Sequence, residues 1–172
     1  AEIGINHNGS LVTAKKLIDI AAASGCDAVK FQKRNPDVCV PDHQKSVIRD
    51  TPWGSMTYLD YKKKIEFGKT EYDEIDSYCN EKGISWSASP WDLDSLNFIC
   101  QYDIPFIKMA SASLTDDELL KRAAKTGKKV IISTGMSTEE EVDKAVFILK
   151  NHTRNYAILH CNSSYPAPLE EL

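Results

Sequence analysis

The stretch KKVIISTGMSTEEE, residues 128–141, contains the signals for a strand, a turn and a helix in direct succession. Its first half is apolar and its second half is small, polar or acidic. Ser137 and Glu140 have the spacing of a capping box, in which a hydroxyl and a carboxylate satisfy the free N–H groups at a helix start. The pattern predicts a buried strand over 128–134 and a helix from there to about 150.

The same succession of strand and helix recurs along the chain. The predicted strands are AEIGIN (1–6), AVKFQ (28–32), ISWSASP (84–90), PFIKMA (105–110), KKVIIST (128–134) and YAILHC (156–161). Helical periodicity follows Ser10 up to Gly25, covers 69–82 and 92–101, and resumes after a second capping box at Thr115 and Glu118. Apolar strands that alternate with helices are typical of an α/β fold with a parallel sheet.

One long segment, from about 33 to 60, shows neither the helical nor the strand periodicity of apolar residues. It contains three prolines and a glycine, Pro36, Pro41, Pro52 and Gly54, and is predicted to be irregular. Loops of this length inside a compact domain are usually functional, so we interpret the segment as a cover over the site.

The composition excludes several classes of protein. The 172 residues are 42% hydrophobic and 27% charged, with a net charge of −4, so no basic surface indicates nucleic acid or an anionic membrane as a partner. No apolar run approaches the roughly 20 residues that cross a bilayer, and no membrane association is predicted. The five cysteines are odd in number and form no C-x-x-C pair, which favours reduced thiols and a cytoplasmic location.

A (β/α)8 barrel and a doubly wound sheet both fit this pattern, and the position of the polar residues distinguishes between them. Polar residues gather late in each predicted strand or just after it: Asn6 and His7, Lys30 and Gln32, Ser87 and Ser89, Lys108 and Ser111, Ser133 and Thr134, and 160–164. In a (β/α)8 barrel these strand ends converge on one mouth, where barrel enzymes carry their chemistry. A doubly wound dinucleotide-binding sheet lacks its G-x-G-x-x-G turn here. We therefore predict an α/β fold of the (β/α)8 TIM-barrel type.

Two lysines lie inside these apolar strands, Lys30 and Lys108. A buried ammonium is costly unless it meets a partner or a ligand. Hydroxyls stand at Ser111, three positions after Lys108, and at Ser133, at the end of another strand. Cations and hydroxyls at one rim form a site for phosphate or carboxylate. Glu2 has two interpretations: a carboxylate directed at a ligand, or a structural partner for Lys30 on the adjacent strand.

At this point the residues show a resemblance. The motifs AEIGINHNG, DAVKFQ, IPFIKMAS, KVIISTGMST and LHCNSSYPAP occur in the same order and at the same spacing as in the N-acetylneuraminate (sialic acid) synthase family. These enzymes are phosphoenolpyruvate-dependent nonulosonic acid synthases. The resemblance covers essentially the whole chain, and the stretch 33–67 is its least similar part.

The resemblance implies a reaction and a set of site residues. It implies that phosphoenolpyruvate condenses with N-acetylmannosamine, or a related 2-acetamido sugar, to give N-acetylneuraminate or a related nonulosonic acid plus phosphate. The motif positions that would hold phosphoenolpyruvate are Lys30, Lys108, Ser111, Ser133, Asn162 and Ser163. The positions that would face the sugar are Gln32, Tyr165 and Glu2, and Glu2 is the candidate for proton management.

The resemblance also implies features beyond this chain. The family uses a divalent metal, Mn2+ or Mg2+, whose ligands would lie beyond residue 172, so none is assigned here. It implies a homodimer and a C-terminal antifreeze-like domain. Residues 1–172 are accordingly expected to be the N-terminal part of a single synthase domain, without its last strands and inactive alone. His7 and His160 lack a carboxylate at fixed spacing and are interpreted as backbone-bonded histidines.

One residue departs from the family pattern, and other functions stay open. Ser113 stands where many members carry an acidic residue. The alternatives are another phosphoenolpyruvate- or phosphate-binding barrel aldolase or synthase, including a Schiff-base aldolase with Lys108 as nucleophile, and a non-catalytic sugar-phosphate binding protein. Met109 and Met136 are interpreted as core residues.

Overall fold

The computed structural model describes residues 1–164 and 166–171, the side chain of Glu171 excepted. The chain divides into two compact units, Ala1–Tyr102 and Asp103–Leu172. Each contains a three-stranded sheet, and all strand pairs within these two sheets are parallel. The six strands of these sheets correspond to the six predicted ones.

The first unit begins with β1, α1 and β2 and ends with α5, β5 and α6. Their bounds are β1 Glu2–Gly4, α1 Leu11–Ala23, β2 Ala28–Lys33, α5 Lys69–Lys82, β5 Ser85–Pro90 and α6 Leu93–Ile99. The sheet order is β1-β2-β5, in which Lys30 lies opposite both Glu2 and Ser87. Because side chains alternate along a strand, Lys30 and Gln32 share one face of β2.

The other face of β2 builds the core of this unit. Val29 and Phe31 are fully buried, as are Ile18 of α1 and Ile75 of α5. The apolar periodicity of α1 and α5 is the reason that both helices cover this face. The sheet therefore has an apolar face under helices and a polar face that carries Lys30 and Gln32.

Residues 35–66 are more regular than the sequence predicts. Between β2 and α5 lie α2 Pro36–Cys39, α3 Asp42–Lys45, the antiparallel hairpin of β3 Ile48–Thr51 and β4 Gly54–Thr57, and α4 Tyr58–Ile65. The prediction of an irregular segment is wrong. The hairpin strands are largely exposed and bury no apolar face, so they lack the alternation by which a strand is recognised.

The second unit alternates strictly between strand and helix. Its elements are β6 Phe106–Met109, a 3-10 turn Ser111–Ser113, α7 Asp117–Ala124, β7 Lys129–Ser133, α8 Glu139–Lys150, β8 Tyr156–Leu159 and a 3-10 turn Leu169–Glu171. The sheet order is β6-β7-β8. Ile107 and Ile132 are fully buried on one face, which leaves Lys108 and Ser133 on the other.

Two helix starts in this unit differ from the prediction by one residue. The capping box of α8 is formed by Thr138 and Glu141 rather than by Ser137 and Glu140. The start of α7 is capped by Asp116, whose carboxylate accepts the N–H of Leu119 at 3.0 Å, and not by Thr115. Because adjacent residues here have equivalent capping chemistry, spacing alone does not determine which of the two caps the helix.

Two findings bear on the class of protein. The five cysteines are all free thiols. None of the helices in the described part of the chain has both the length and the apolar character to span a bilayer.

Candidate active site

The first group of candidate residues lies on the polar face of the first unit. We call Glu2, Lys30 and Gln32 the Glu2 cluster. The Nζ atom of Lys30 lies 2.5 Å from Oε2 of Glu2, so the two strands are joined by an ion pair. The register places Ser87 beside Lys30 and Ser89 beside Gln32, and both serines are buried. The strand ends of this unit therefore present charged and hydrogen-bonding groups together.

The ion pair bears on the two interpretations of Glu2. Its side chain is 57% exposed and that of Lys30 is 19% exposed, so the carboxylate lies at the open end of the pair. The predicted structural partnership with Lys30 is present. An exposed carboxylate oxygen can still accept a hydrogen bond from a ligand, so the catalytic role of Glu2 stays a prediction.

The second group lies at the strand ends of the second unit. We call Lys108, Ser111, Ser133, Gly135 and Ser163 the Lys108 cluster. Lys108 Nζ donates to the Oγ of Ser133 and, at 2.9 Å, to the carbonyl oxygen of Met109. The backbone N–H of Gly135 donates to Ser111 Oγ at 3.1 Å. One ammonium, three hydroxyls and a glycine backbone thus converge, which is the donor set that binds phosphate or carboxylate.

Gly135 allows this convergence because it has no side chain. A Cβ atom at this position would lie 2.8 Å from Ser163 Oγ and 2.9 Å from Ser111 Oγ, closer than real Cβ contacts allow.

The next residue, Met136, has a φ of +63°, a left-handed conformation that is costly for residues other than glycine. Its side chain is 71% exposed, so its interpretation as a core residue is wrong, whereas Met109 is fully buried as predicted.

The remaining candidates lie on the segment after β8. Asn162 is partly buried, and its Oδ1 accepts the N–H of Ser164 at 2.7 Å. Together with Ser163 it lines an open groove that begins beside Thr134. Tyr165 lies outside the described residues. Ser113, in the position where the family pattern has an acid, is a buried hydroxyl in the turn after β6.

The described residues do not form a site for the implied metal. Within 1–164 and 166–171, His, Cys, Asp and Glu side chains form no group of three or more that could hold a metal ion. His7 is 3% exposed and stacks on Phe67 at 3.9 Å between ring centroids. Its Nδ1 accepts the N–H of Gly9 at 3.1 Å, so the ring fixes the turn after β1. His7 is a backbone-bonded histidine, as predicted.

Burial gives His7 an effect on stability below neutral pH. Loss of hydration lowers its pKa from 6.5 to about 4, so between these values the unfolded chain binds more protons than the folded one. The stabilising contribution is complete above pH 6.5 and is lost as the pH falls toward 4. At pH 4.5 we expect the complete protein to have lost about 2 kcal/mol from this residue.

Urea unfolding at pH 7 and pH 4.5 measures this contribution. His7→Gln should lose about 2 kcal/mol less between the two pH values than the wild type does. His152→Gln changes an exposed histidine and is the matched control, expected to keep the wild-type difference. Equal pH dependence in the wild type and His7→Gln would contradict the prediction.

Two residues next to the Glu2 cluster were not predicted. Arg34 follows β2 and donates through Nη2 to Gln32 Oε1. Glu66 pairs with Lys33 at 2.9 Å and accepts the backbone N–H of Arg34 at 3.0 Å. Burial raises the pKa of Glu66, and the nearby Lys33 and Arg34 act in the opposite direction. Thirty-two positions separate Arg34 from Glu66, so no local sequence pattern indicates this contact.

Parallel strands that alternate with helices and carry polar groups at their carboxyl ends define an α/β protein of the (β/α)8-barrel type, as predicted. A family model, the NeuB family, matches residues 17–172. The chain belongs to the NeuB family.

Known proteins agree with this assignment. The chain is 38% identical to the N-acetylneuraminate-9-phosphate synthase of Drosophila melanogaster over 169 residues, 96% of this chain and 45% of the relative. It is 36% identical to the N,N'-diacetyllegionaminic acid synthase of Campylobacter jejuni over 177 residues, 100% of this chain and 53% of the relative. The crystal structure of the sialic acid synthetase of Leptospira borgpetersenii superposes with a TM-score of 0.87 at 32% identity, covering 99% of this chain and 55% of that one. The chain therefore spans about half the length of these relatives.

Proposed function

We propose that the complete protein condenses phosphoenolpyruvate with N-acetylmannosamine or a related 2-acetamido sugar, giving a nonulosonic acid and phosphate. The Lys108 cluster is the observation that carries this proposal, because it joins an ammonium, hydroxyls and a backbone N–H at the strand ends of the second unit. The names of the family's relatives support the class of product, since they include N-acetylneuraminate-9-phosphate and N,N'-diacetyllegionaminic acid synthases.

Phosphoenolpyruvate needs this kind of site because of its charge. It carries about three negative charges, shared between a phosphate and a carboxylate. In the proposal Lys108, Ser111, Ser133 and Ser163 bind one anionic group, with Asn162 beside them. The resemblance to the family assigns Lys30 to phosphoenolpyruvate as well, and the ion pair with Glu2 fixes the Lys30 ammonium on the polar face of the first unit. Fixed donors of this kind stabilise the negative charge that collects on the phosphate as it leaves.

The proposed reaction forms one carbon–carbon bond and breaks one carbon–oxygen bond. C3 of phosphoenolpyruvate attacks the aldehyde carbon of the open-chain sugar, whose oxygen takes up a proton and becomes a hydroxyl. Water adds at C2 and loses one proton, which leaves a hydroxyl on that carbon. The C2–O bond to phosphate then breaks while this hydroxyl gives its remaining proton to the departing phosphate, and a ketone is left. Glu2 is the proposed group for these proton transfers, with Gln32 and Tyr165 on the sugar. Binding both substrates at adjacent positions supplies the orientation part of the rate.

The family's divalent metal would polarise the sugar aldehyde when bound. The histidines and carboxylates of the described residues do not fit such a site, so no step here is assigned to a metal. We propose that its ligands belong to a part of the protein other than the described residues.

The broader organisation is part of the same proposal. Residues 1–172 would be the N-terminal part of one synthase domain of a homodimer with a C-terminal antifreeze-like domain. The free thiols of all five cysteines support a reducing compartment such as the cytoplasm.

Phosphate release by the complete protein tests the proposal. With phosphoenolpyruvate, N-acetylmannosamine and Mn2+, we expect steady release of phosphate that requires the sugar. A panel that adds N-acetylmannosamine 6-phosphate and 6-deoxy diacetamido hexoses, with the product mass measured, identifies the nonulosonic acid. Binding of phosphoenolpyruvate without turnover on any sugar of the panel would favour the non-catalytic sugar-phosphate binding protein instead.

A further inference from the structure

Arg34 is a buried arginine beside Gln32, one of the residues predicted to bind the sugar. It is the third member of the series Lys30, Gln32, Arg34, and alternation places all three on the polar face of β2 and its extension. Arg34 is 6% exposed, although a guanidinium is rarely found inside a protein. Its Nη2 donates to Oε1 of Gln32. Arg34 therefore directly contacts a residue that is predicted to bind the substrate.

The guanidinium is held by two further groups. The Cζ atom of Arg34 lies 4.5 Å from the centre of the Trp91 ring, over its face. Its Nε lies 3.8 Å from Oε2 of Glu66, and the same carboxylate accepts the backbone N–H of Arg34 at 3.0 Å. Glu66 is in turn fixed by Lys33 at 2.9 Å. The ring and the carboxylate together hold the plane of the guanidinium.

This arrangement is not optimal for stability. Among the described residues the buried Nε of Arg34 has no hydrogen-bond partner, and neither has Nε1 of Trp91. A buried donor without a partner costs free energy of folding, about 1–3 kcal/mol in typical cases. Packing and charge balance alone therefore do not account for an arginine at this position.

The contact with Gln32 determines which way its amide points. A guanidinium has only donors, so the amide atom that it touches must be the oxygen. The NH2 group of Gln32 must then face away from Arg34. A Cβ atom on Gly4 would lie 3.6 Å from Gln32 Nε2 and 3.1 Å from Glu2 Oε1, so this NH2 group lies on the side of the Glu2 carboxylate.

We propose that Arg34 is a positioning residue that fixes the Gln32 amide with its NH2 group toward the substrate, so that the site selects an acceptor oxygen of the acetamido sugar. The proposal rests on the proposed function. Gln32 then offers a donor and Glu2 an acceptor side by side, a pair that matches a carbonyl oxygen next to a hydroxyl. With Arg34 absent, the amide rotates freely and offers either atom.

Initial-rate kinetics of the complete protein test this with a double-mutant cycle of Arg34→Met, Gln32→Met and both together. Arg34→Met should raise the KM of the sugar about 10-fold and leave the KM of phosphoenolpyruvate within about 2-fold. In the Gln32→Met background the same substitution should have little further effect, because the group it positions is gone. Arg34→Lys, which can still donate to Oε1, should recover part of the affinity.

The controls separate positioning from folding. Arg154→Met changes an exposed arginine between α8 and β8 and should leave both KM values unchanged. Thermal unfolding of each variant reports any loss of fold. Equal effects of Arg34→Met in both backgrounds, or equal rises in the KM of both substrates, overturn the positioning role while the proposed function stands. Absence of phosphate release by the wild type overturns the proposed function, and this inference with it.

Discussion

Replacing Lys108 by methionine in the complete protein is expected to lower kcat/KM for phosphoenolpyruvate about 1,000-fold. The ammonium is the only cation of the Lys108 cluster, and Ser133 Oγ and the Met109 carbonyl direct it. Without it the anionic group bound by the Lys108 cluster meets only hydroxyls and the Gly135 N–H, and no charge in the cluster neutralises it. Phosphate release at varied phosphoenolpyruvate concentration measures the effect.

Lys129→Met is the matched control for Lys108→Met. Lys129 is an exposed lysine at the start of β7, at the opposite end of that strand from Ser133. It should keep the wild-type kcat/KM. A loss below about 10-fold for Lys108→Met, with the fold intact by circular dichroism, would contradict the assigned role.

The same lysine separates the synthase from a Schiff-base aldolase. In the proposed mechanism Lys108 stays an ammonium and forms no covalent bond to substrate. Incubation with pyruvate and borohydride should therefore leave the mass of the protein unchanged. A pyruvate-derived adduct on Lys108 would instead support the aldolase.

Glu2→Gln is expected to lower kcat about 100-fold, since general acid–base catalysis contributes that much or more. The amide keeps the shape and a hydrogen-bonding oxygen but has neither the charge nor the proton-accepting capacity. Stability should hardly change, because the Glu2 side chain is 57% exposed and exposed ion pairs contribute at most about 1 kcal/mol. Phosphate release and the midpoint of thermal unfolding are measured together.

Glu74→Gln is the control for this substitution. Glu74 also pairs with a lysine, Lys15 at 2.8 Å, and is exposed to a similar degree. It should keep the wild-type rate. If Glu2→Gln retains full activity, Glu2 is a counter-charge for Lys30 and nothing more.

The strands were predictable because burial leaves a strong signal in their sequences. Val29, Phe31, Ile107 and Ile132 are fully buried, and each lies in an apolar run long enough to recognise. The residues that interrupt these runs, Lys30 and Lys108 among them, were the correct indication of the polar face. Helix α5 was predicted with its observed bounds, Lys69–Lys82, since Gly83 takes the left-handed conformation that ends it.

Other features depend on contacts that the sequence does not display. The sequence leaves the cap of α8 undetermined because Ser137 and Thr138 have the same capping chemistry, and in the structure Thr138 is the cap. Met136 follows a glycine in a tight turn, and its exposure comes from the turn rather than from its own apolar character.

The Gln32–Arg34–Glu66 network shows this limit most clearly at the candidate site. The sequence indicated Gln32 through its motif, but Arg34 and Glu66 are ordinary charged residues in their local context. Their pairing requires residues 35–66 to leave β2 and return to it. Only the tertiary structure brings them together.

That return has a consequence for how this protein can change over evolution. The 3.0 Å contact between the Arg34 backbone and Glu66, with Asp92 accepting the N–H of Asn35 at 2.7 Å, fastens both ends of the intervening chain beside β2. Closing a longer loop costs only about 0.6 kcal/mol for each doubling of its length. The exposed hairpin between these anchors can therefore change in length at little cost in folding free energy while Lys30 and Gln32 keep their places.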